Sequence, residues 1–390
     1  MTVGCMLCTT HGCRTEIKMD AYFKTCNLSV GYDKNILIHD ISVAVEKGKI
    51  LTLIGPNGSG KSTILKTVAK QIPAINGSVY IDNSDIFRWN LKTMAKTVSV
   101  MLTDRIRTDM MTCFDVVSMG RYPYTNIVGF LTDEDKETVF SSLESVGMQN
   151  EAYRDFNTLS DGQKQRILLA RAICQKPEVI ILDEPTAYLD IKHKIELLDI
   201  LSSLAREKEV TVIMSLHEID LATKISDYIM CVNGDVIEAF GTPDEILKTD
   251  TVERLYNMKK GTYNLHFGSI ELTKPKGEPK VFVVGGGGCG IPYFRALQKE
   301  QIPFAAGIIF QNDIDFQVAS KLSDNVICAP PFEPVTEELF YAASKLLLKC
   351  DTVIDAGGND GTFNHYNRKL LDLASENNIK IKNNKKEIEQ

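Results

Sequence analysis

The stretch GPNGSGKST, Gly55 to Thr63, has the residue types and spacing to hold a nucleoside triphosphate. Gly55, Gly60, Lys61 and Ser62 fit the pattern G-x-x-x-x-G-K-[ST]. Glycines let the backbone wrap so that several N–H groups point at phosphate oxygens, and a helix opening near Lys61 adds its positive N-terminal end. Lys61 would neutralise the β- and γ-phosphates, and the Ser62 hydroxyl would ligate Mg²⁺. Asn57, Gly58 and Thr63 complete the loop. Farther on, VIILDEP ends an apolar run with two carboxylates. Asp183 then stands at the end of a buried strand, where ligands bind in open α/β sheets, and can hold Mg²⁺ through water. Glu184 follows it, and a carboxylate there can polarise an attacking water. An acidic pair after a strand is common by itself; coupled to a phosphate loop it reads as hydrolytic.

Between these stretches lies LSDGQ, Leu159 to Gln163, just before a helical pattern. With the phosphate loop and the acidic strand end, this arrangement resembles the ATP-binding-cassette (ABC) ATPases, whose signature is usually LSGGQ. The resemblance covers roughly residues 20 to 270, and the combination of motifs is specific. It implies a head-to-tail homodimer with two ATP molecules sandwiched between subunits. Ser160, Gly162 and Gln163 of one subunit would close over the γ-phosphate held by the other. It also implies that Tyr32, in GYDKN, stacks on adenine, that Asp190, in AYLD, belongs to the loop crossing the dimer, and that His217 touches the γ-phosphate. Two residues depart from the family pattern. Thr103 stands where the family has a glutamine, with a shorter reach to a Mg²⁺-bound water. Asp161 replaces a glycine; a carboxylate there would repel the γ-phosphate, so we expect it to face outward and hydrolysis to survive.

SMGRYPYT, Ser118 to Thr125, resembles the GRxP stretch of the importer branch that takes up iron–siderophore complexes, haem and cobalamin, in a region that faces the membrane subunits in that family. FGTPDEIL, from Phe240, also fits the end of such cassettes. The resemblance therefore implies an ATPase subunit of a bacterial ABC importer, using ATP and Mg²⁺ to energise uptake of an iron chelate or cobalamin. Its expected partners are a second copy, integral membrane permease subunits and a substrate-binding protein. Its expected place is peripheral, at the cytoplasmic face of the membrane. A soluble ABC ATPase without a transporter is the competing reading.

These residues need particular elements to position them. Residues 21 to 54 alternate as antiparallel strands feeding a buried one that ends at Gly55, and a helix follows from Lys61 to about Gln71. Residues 88 to 175 read as mostly helical. EVIILDEP and EVTVIMSLH are buried strands of the parallel type, and DYIMCVNGDVIEAFGTP is a hairpin turning at Asn233-Gly234. This predicts an ABC-type P-loop NTPase with antiparallel and helical subdomains over residues 19 to 272. TKPKGEP, 273 to 279, reads as a linker. Beyond it, candidate strands at 280 to 284, 304 to 309, 325 to 329, 352 to 356 and 378 to 382 alternate with helical patterns, predicting a small doubly wound, Rossmann-like domain over 280 to 390.

That second domain opens on VFVVGGGGCGIPYFRAL, 281 to 297. Gly285, Gly287 and Gly290 satisfy G-x-G-x-x-G, though four consecutive glycines make a match nearly automatic. A dinucleotide site also needs an acidic residue at the end of the second strand, and Asp313 falls close to that place. Three readings stay open here: a dinucleotide, another small ligand with a regulatory role, or a tight turn that only packs. A second glycine pair, in DAGGNDGTF from Asp355, could lie beside the first turn.

The net charge of −7 gives no electrostatic footprint for nucleic acid. No apolar run is long enough to span a bilayer. The ten cysteines are scattered, without a disulfide framework. Cys5, Cys8, Cys13 and His11 have zinc-ligand types but no second ligand pair at a familiar spacing. Residues 1 to 18 read as an extension that is disordered or not translated, with MDAYFKTCNLSVGY, from Met19, as the natural opening of the first domain.

Overall fold

The computed structural model describes residues 21–102, 110–125, 129–248, 250–258, 261–264, 268–357 and 361–383. Thr103 and the Cys5, Cys8, His11 and Cys13 group lie outside them. Packing divides the chain into two units between Thr251 and Val252.

The first unit holds two sheets. One is antiparallel, in the order Asn35–Ile41, Phe23–Tyr32, Asn76–Ile81, Ser84–Asp85, with Ala44–Val45 also on Phe23–Tyr32. The other is six-stranded, in the order Val236–Gly241, Tyr228–Asn233, Ile50–Ile54, Thr211–Ser215, Val179–Leu182, Val98–Met101. All its pairings are parallel except the hairpin at its Val236–Gly241 edge. Ile50–Ile54, Val179–Leu182 and Thr211–Ser215 are buried along their whole length, which is why they read as unbroken apolar runs. The core lies between the two sheets, where Phe23, Leu28 and Val79 meet Leu53, Ile181 and Ile213 around the helix Lys61–Val68. Strand Val98–Met101 interrupts the segment expected to be mostly helical. Four residues are too few to display a period of two, and the helix Leu91–Thr97 runs directly into them.

A group of helices, Cys113–Ser118, Asp133–Ser145 and Asp161–Cys174, packs together beside this sheet. Each begins at a reciprocal capping box, built from Thr112 and Asp115, Thr132 and Asp135, and Ser160 and Gln163. In each pair the first side chain accepts an orphan helix N–H and the third helical residue returns the favour. Gly120 and Arg121, the centre of the GRxP stretch, point into this group. A Cβ on Gly120 would meet Arg171 O at 2.4 Å. Arg121 is buried, with Nε donating to Asp135 Oδ1 at 2.8 Å and Nη1 to Cys174 O at 3.0 Å. The following Tyr122 is turned out to solvent, and Tyr124 less so.

The second unit is a five-stranded parallel sheet in the order Asn325–Ala329, Phe304–Phe310, Val281–Val284, Thr352–Asp355, Lys380–Lys382. Ile291–Lys299 and Ile314–Leu322 cover one face; Glu337–Leu347 and His365–Glu376 cover the other. The strand order reverses between Val281–Val284 and Thr352–Asp355, so the turns after them share the carboxyl edge of the sheet. A hairpin, Thr262–Asn264 with Ser269–Glu271, packs on this unit: Asn264 Nδ2 donates to Gln317 O, and Arg295 pairs with Glu271 at 2.7 Å. Residues 273–279, read from composition as a linker, run on beyond that hairpin. Among the described residues no helix is long and apolar enough to cross a membrane.

Candidate nucleotide site

The phosphate loop follows strand Ile50–Ile54 and opens helix Lys61–Val68. Two glycines there answer steric demands. A Cβ on Gly55 would meet Val232 O at 2.1 Å, and one on Gly60 would meet Ile38 Cδ1 at 2.6 Å, with Gly60 at φ 98°. Gly60 is the helix N-cap and brings no capping side chain, so the first-turn N–H groups are left for an anion. Lys61 is buried, with Nζ donating to Gly55 O at 2.8 Å and Pro56 O at 2.9 Å. Burial lowers its pKa, against the attraction of Glu184 and Asp183. The lysine therefore lies within electrostatic reach of both carboxylates. Tyr32 is half exposed at the end of its strand, and Thr63 Oγ1 donates to its hydroxyl at 3.4 Å. Ring and loop thus share one edge of the site.

Asp183 and Glu184 follow strand Val179–Leu182; Ser215 ends, and His217 follows, strand Thr211–Ser215, which lies between Val179–Leu182 and Ile50–Ile54. His217 Nε2 lies 2.6 Å from Glu184 Oε1. Glu184 sits at φ 50°, a left-handed conformation that a glutamate adopts only when its surroundings hold it there. Ser215, fully buried, does part of the holding. Its Oγ accepts from Glu184 N at 2.9 Å and donates to Asp183 Oδ1 at 2.7 Å. Glu218, beside the histidine, accepts from Thr186 Oγ1 at 3.3 Å and is paired with Lys194. Sequence reasoning found the carboxylates and the histidine but missed Ser215, Glu218 and Lys194. Their roles depend on which strands and helices become neighbours, a fact carried by no local spacing.

The residues fit a divalent cation with a triphosphate. Asp183 Oδ2 and Ser59 Oγ are buried without a partner, although polar atoms at such depth are almost always paired. Among the described residues no cluster of three His, Cys, Asp or Glu side chains could hold a metal by itself. A hard cation here would need phosphate oxygens as ligands beside Ser62 and Asp183.

Ser160 and Gln163 of the LSDGQ stretch form the third capping box, with Gln163 N donating to Ser160 Oγ at 3.3 Å and Ser160 N to Gln163 Oε1 at 3.1 Å. Asp161 is exposed in the first turn, where a negative charge complements the helix dipole. Gly162 faces Leu189, which a Cβ would approach at 3.2 Å. Asp190 caps helix Ile191–Lys208 by accepting from His193 N at 2.9 Å.

Residues 38–187 match the family model described as ABC transporter, and residues 304–387 match the model described as MJ0874 family. An ABC transporter ATP-binding protein of Methanocaldococcus jannaschii is 41% identical over 285 residues, covering 73% of this chain and 98% of its own length. The iron(3+)-hydroxamate import ATP-binding protein of Bacillus subtilis is 35% identical over 234 residues, 60% of this chain and 87% of its own. A solved ABC transporter described as metal-chelate type, in an inward-facing conformation, superposes on 60% of this chain and 88% of its own at TM-score 0.54 and 26% identity.

Proposed function

The chain belongs to the ABC transporter ATP-binding family, and from that premise we propose that it is the ATPase subunit of an importer of metal chelates. The cargo class is an iron–siderophore complex, haem or cobalamin. What most supports the reading is the convergence of Lys61, Asp183, Glu184 and His217 at one edge of one parallel sheet. The GRxP stretch and the similarity to an iron-hydroxamate import protein support the importer branch.

In the proposed cycle the phosphate loop and Lys61 hold the triphosphate, and Tyr32 packs on the base. Mg²⁺, when bound, neutralises phosphate charge; Ser62 and Asp183 would hold it. Glu184 accepts a hydrogen bond from the attacking water and polarises it. Water oxygen bonds to the γ-phosphorus while the bond to the β–γ bridging oxygen breaks, releasing ADP and phosphate. His217 holds Glu184 in place and supports the γ-phosphate. Ser160 and Gly162 of a second copy close over the same phosphate, with Asp190 at the crossing loop, so hydrolysis reopens a dimer. Permease subunits convert that opening into transport, which places the chain at the cytoplasmic membrane surface.

The test is Glu184→Gln. Loss of the carboxylate should lower turnover at least ~100-fold with ATP binding kept, the scale expected for removing a general base. A variant that hydrolyses ATP at the parent rate would refute the assignment. Co-purification with permease subunits, followed by ATP-dependent uptake of ferric chelates or cobalamin into vesicles, tests the importer reading. Failure to associate with any membrane partner counts against it.

A further inference from the structure

The second unit opens like a mononucleotide-binding half: strand Val281–Val284, a glycine turn, helix Ile291–Lys299. In such a turn the backbone N–H groups hold a pyrophosphate. Here they hold carboxylates of the same chain. Gly287 N donates to Asp313 Oδ2 at 2.6 Å. Gly290 N and Ile291 N donate to the two oxygens of Asp315 at 2.9 and 3.0 Å. Asp315 is fully buried, and Asp313 Oδ1 accepts from Asp315 N at 2.9 Å, which locks the pair together.

The glycines fit this arrangement. A Cβ on Gly285 or Gly290 would stand 3.4 or 3.0 Å from Asp315 Oδ2, and one on Gly286 would stand 3.5 Å from Asp313 Oδ2. One on Gly288, at φ 87°, would strike Ile314 at 2.6 Å. The loop carrying Asp313, Ile314 and Asp315 thus lies against the turn, while Gly290 is also required by Phe294 of its own helix, which a Cβ would meet at 2.5 Å. Burial first, and the charge of Asp313 as well, push the Asp315 carboxyl above its ordinary pKa despite the amides that favour its charged form. The amides of Gly287, Gly290 and Ile291 are thereby taken by carboxylates of the same chain. The first turn is the opposite case, with a lysine inside it and no capping side chain.

We infer that Asp313 and Asp315 occupy the phosphate positions of this turn and close it to phosphate-bearing ligands, so the second unit does not bind nucleotides through its glycine motif. The pair decides specificity by charge. A ligand that enters this edge of the sheet must present hydrogen-bond donors, positive charge or apolar surface.

Hydrogen–deuterium exchange on the full-length protein tests this, with the cassette loaded with MgADP and with NADH or inorganic pyrophosphate as probes. Exchange across residues 285–291 should not change with either probe up to about 1 mM. Saturable slowing of exchange there by either probe would overturn the inference. A second arm uses Asp313→Ser, which can still cap helix Ile314–Leu322 but is too short to reach Gly287. Exchange at Gly287 should quicken about tenfold, the scale of one hydrogen bond. An unchanged rate would mean that the carboxylate does not hold this amide, and would overturn the inference as well.

Discussion

Ser215→Ala removes one oxygen atom and uncouples two residues of the hydrolytic centre. In the intact site Ser215 Oγ bridges Asp183 Oδ1 and Glu184 N. Without it a buried carboxylate oxygen loses its donor and a buried amide its acceptor, each worth about 1–3 kcal/mol when unsatisfied. Asp183 already carries one buried oxygen without a protein partner, so the change leaves both of its oxygens unpaired by protein. Glu184 is held at φ 50°, and a residue in that region stores about 1–3 kcal/mol that its surroundings must offset. Losing the amide bond lets it relax away from His217. If about 1.5–3 kcal/mol of this positioning is lost in the transition state, turnover falls roughly 10- to 150-fold. The Mg²⁺ requirement should rise by a similar factor, as for other residues that orient a metal-holding carboxylate. The ATP-binding constant measured without Mg²⁺ should stay within about threefold, because the phosphate loop is untouched. The assay is steady-state ATPase over a Mg²⁺ series, with thermal unfolding as the control for folding. A folded variant with the parent turnover and Mg²⁺ dependence would show that Ser215 fills space and positions nothing.

Arg121→Ala should destabilise the first unit by about 3–5 kcal/mol in urea unfolding, because it strands Asp135 in a buried setting; a loss below about 1 kcal/mol would place the residue's importance at the surface instead. Burial raises the Asp135 carboxyl, but bonds from Arg121 and Thr132 outweigh it and hold the pKa below its ordinary 3.8. Its stabilisation is therefore present above 3.8 and lost as pH falls through the folded value, so Asp135→Asn should flatten that acid limb of the stability curve. Burial lowers the Lys61 pKa from 10.5, and a bound triphosphate would raise it again, so binding takes up a proton between the two values. ATP affinity should then fall as pH rises toward 10.5, and Lys61→Arg, which does not titrate there, should lose that slope; equal slopes would refute the linkage.

What the sequence disclosed depended on whether a residue's task is local. Gly55 and Gly60 are needed by the turn they stand in, and Ser160 and Gln163 cap the helix they begin, so spacing alone exposes them. Asp183 and Glu184 could be read because the strand before them is an unbroken apolar run. Ser215 could not: it looks like any small residue at a strand end until Thr211–Ser215 is known to lie beside Val179–Leu182. The GRxP stretch could be read only for the branch it resembles: the packing role of its glycine and arginine is not local, since the ion pair that buries Arg121 reaches a helix 14 residues on. Strand Val98–Met101 was hidden by its length.

The two glycine turns carry the sharper lesson. Each follows a buried parallel strand, opens a helix and contains glycines that no larger side chain could replace. Glycine spacing therefore reports only that something approaches the backbone closely. What approaches is decided by the charge that the rest of the fold delivers. In the first turn the motif itself supplies Lys61, and neighbouring strands bring carboxylates suited to a cation beside phosphate. In the second, the next loop delivers Asp313 and Asp315 onto the amides directly. Asp313, near the place where a dinucleotide site would need its acid, instead folds back on the turn. The spacing D-x-D across a helix start was the available signal, since the first aspartate caps that helix and the second, one turn-face away, is free to reach back over the glycines.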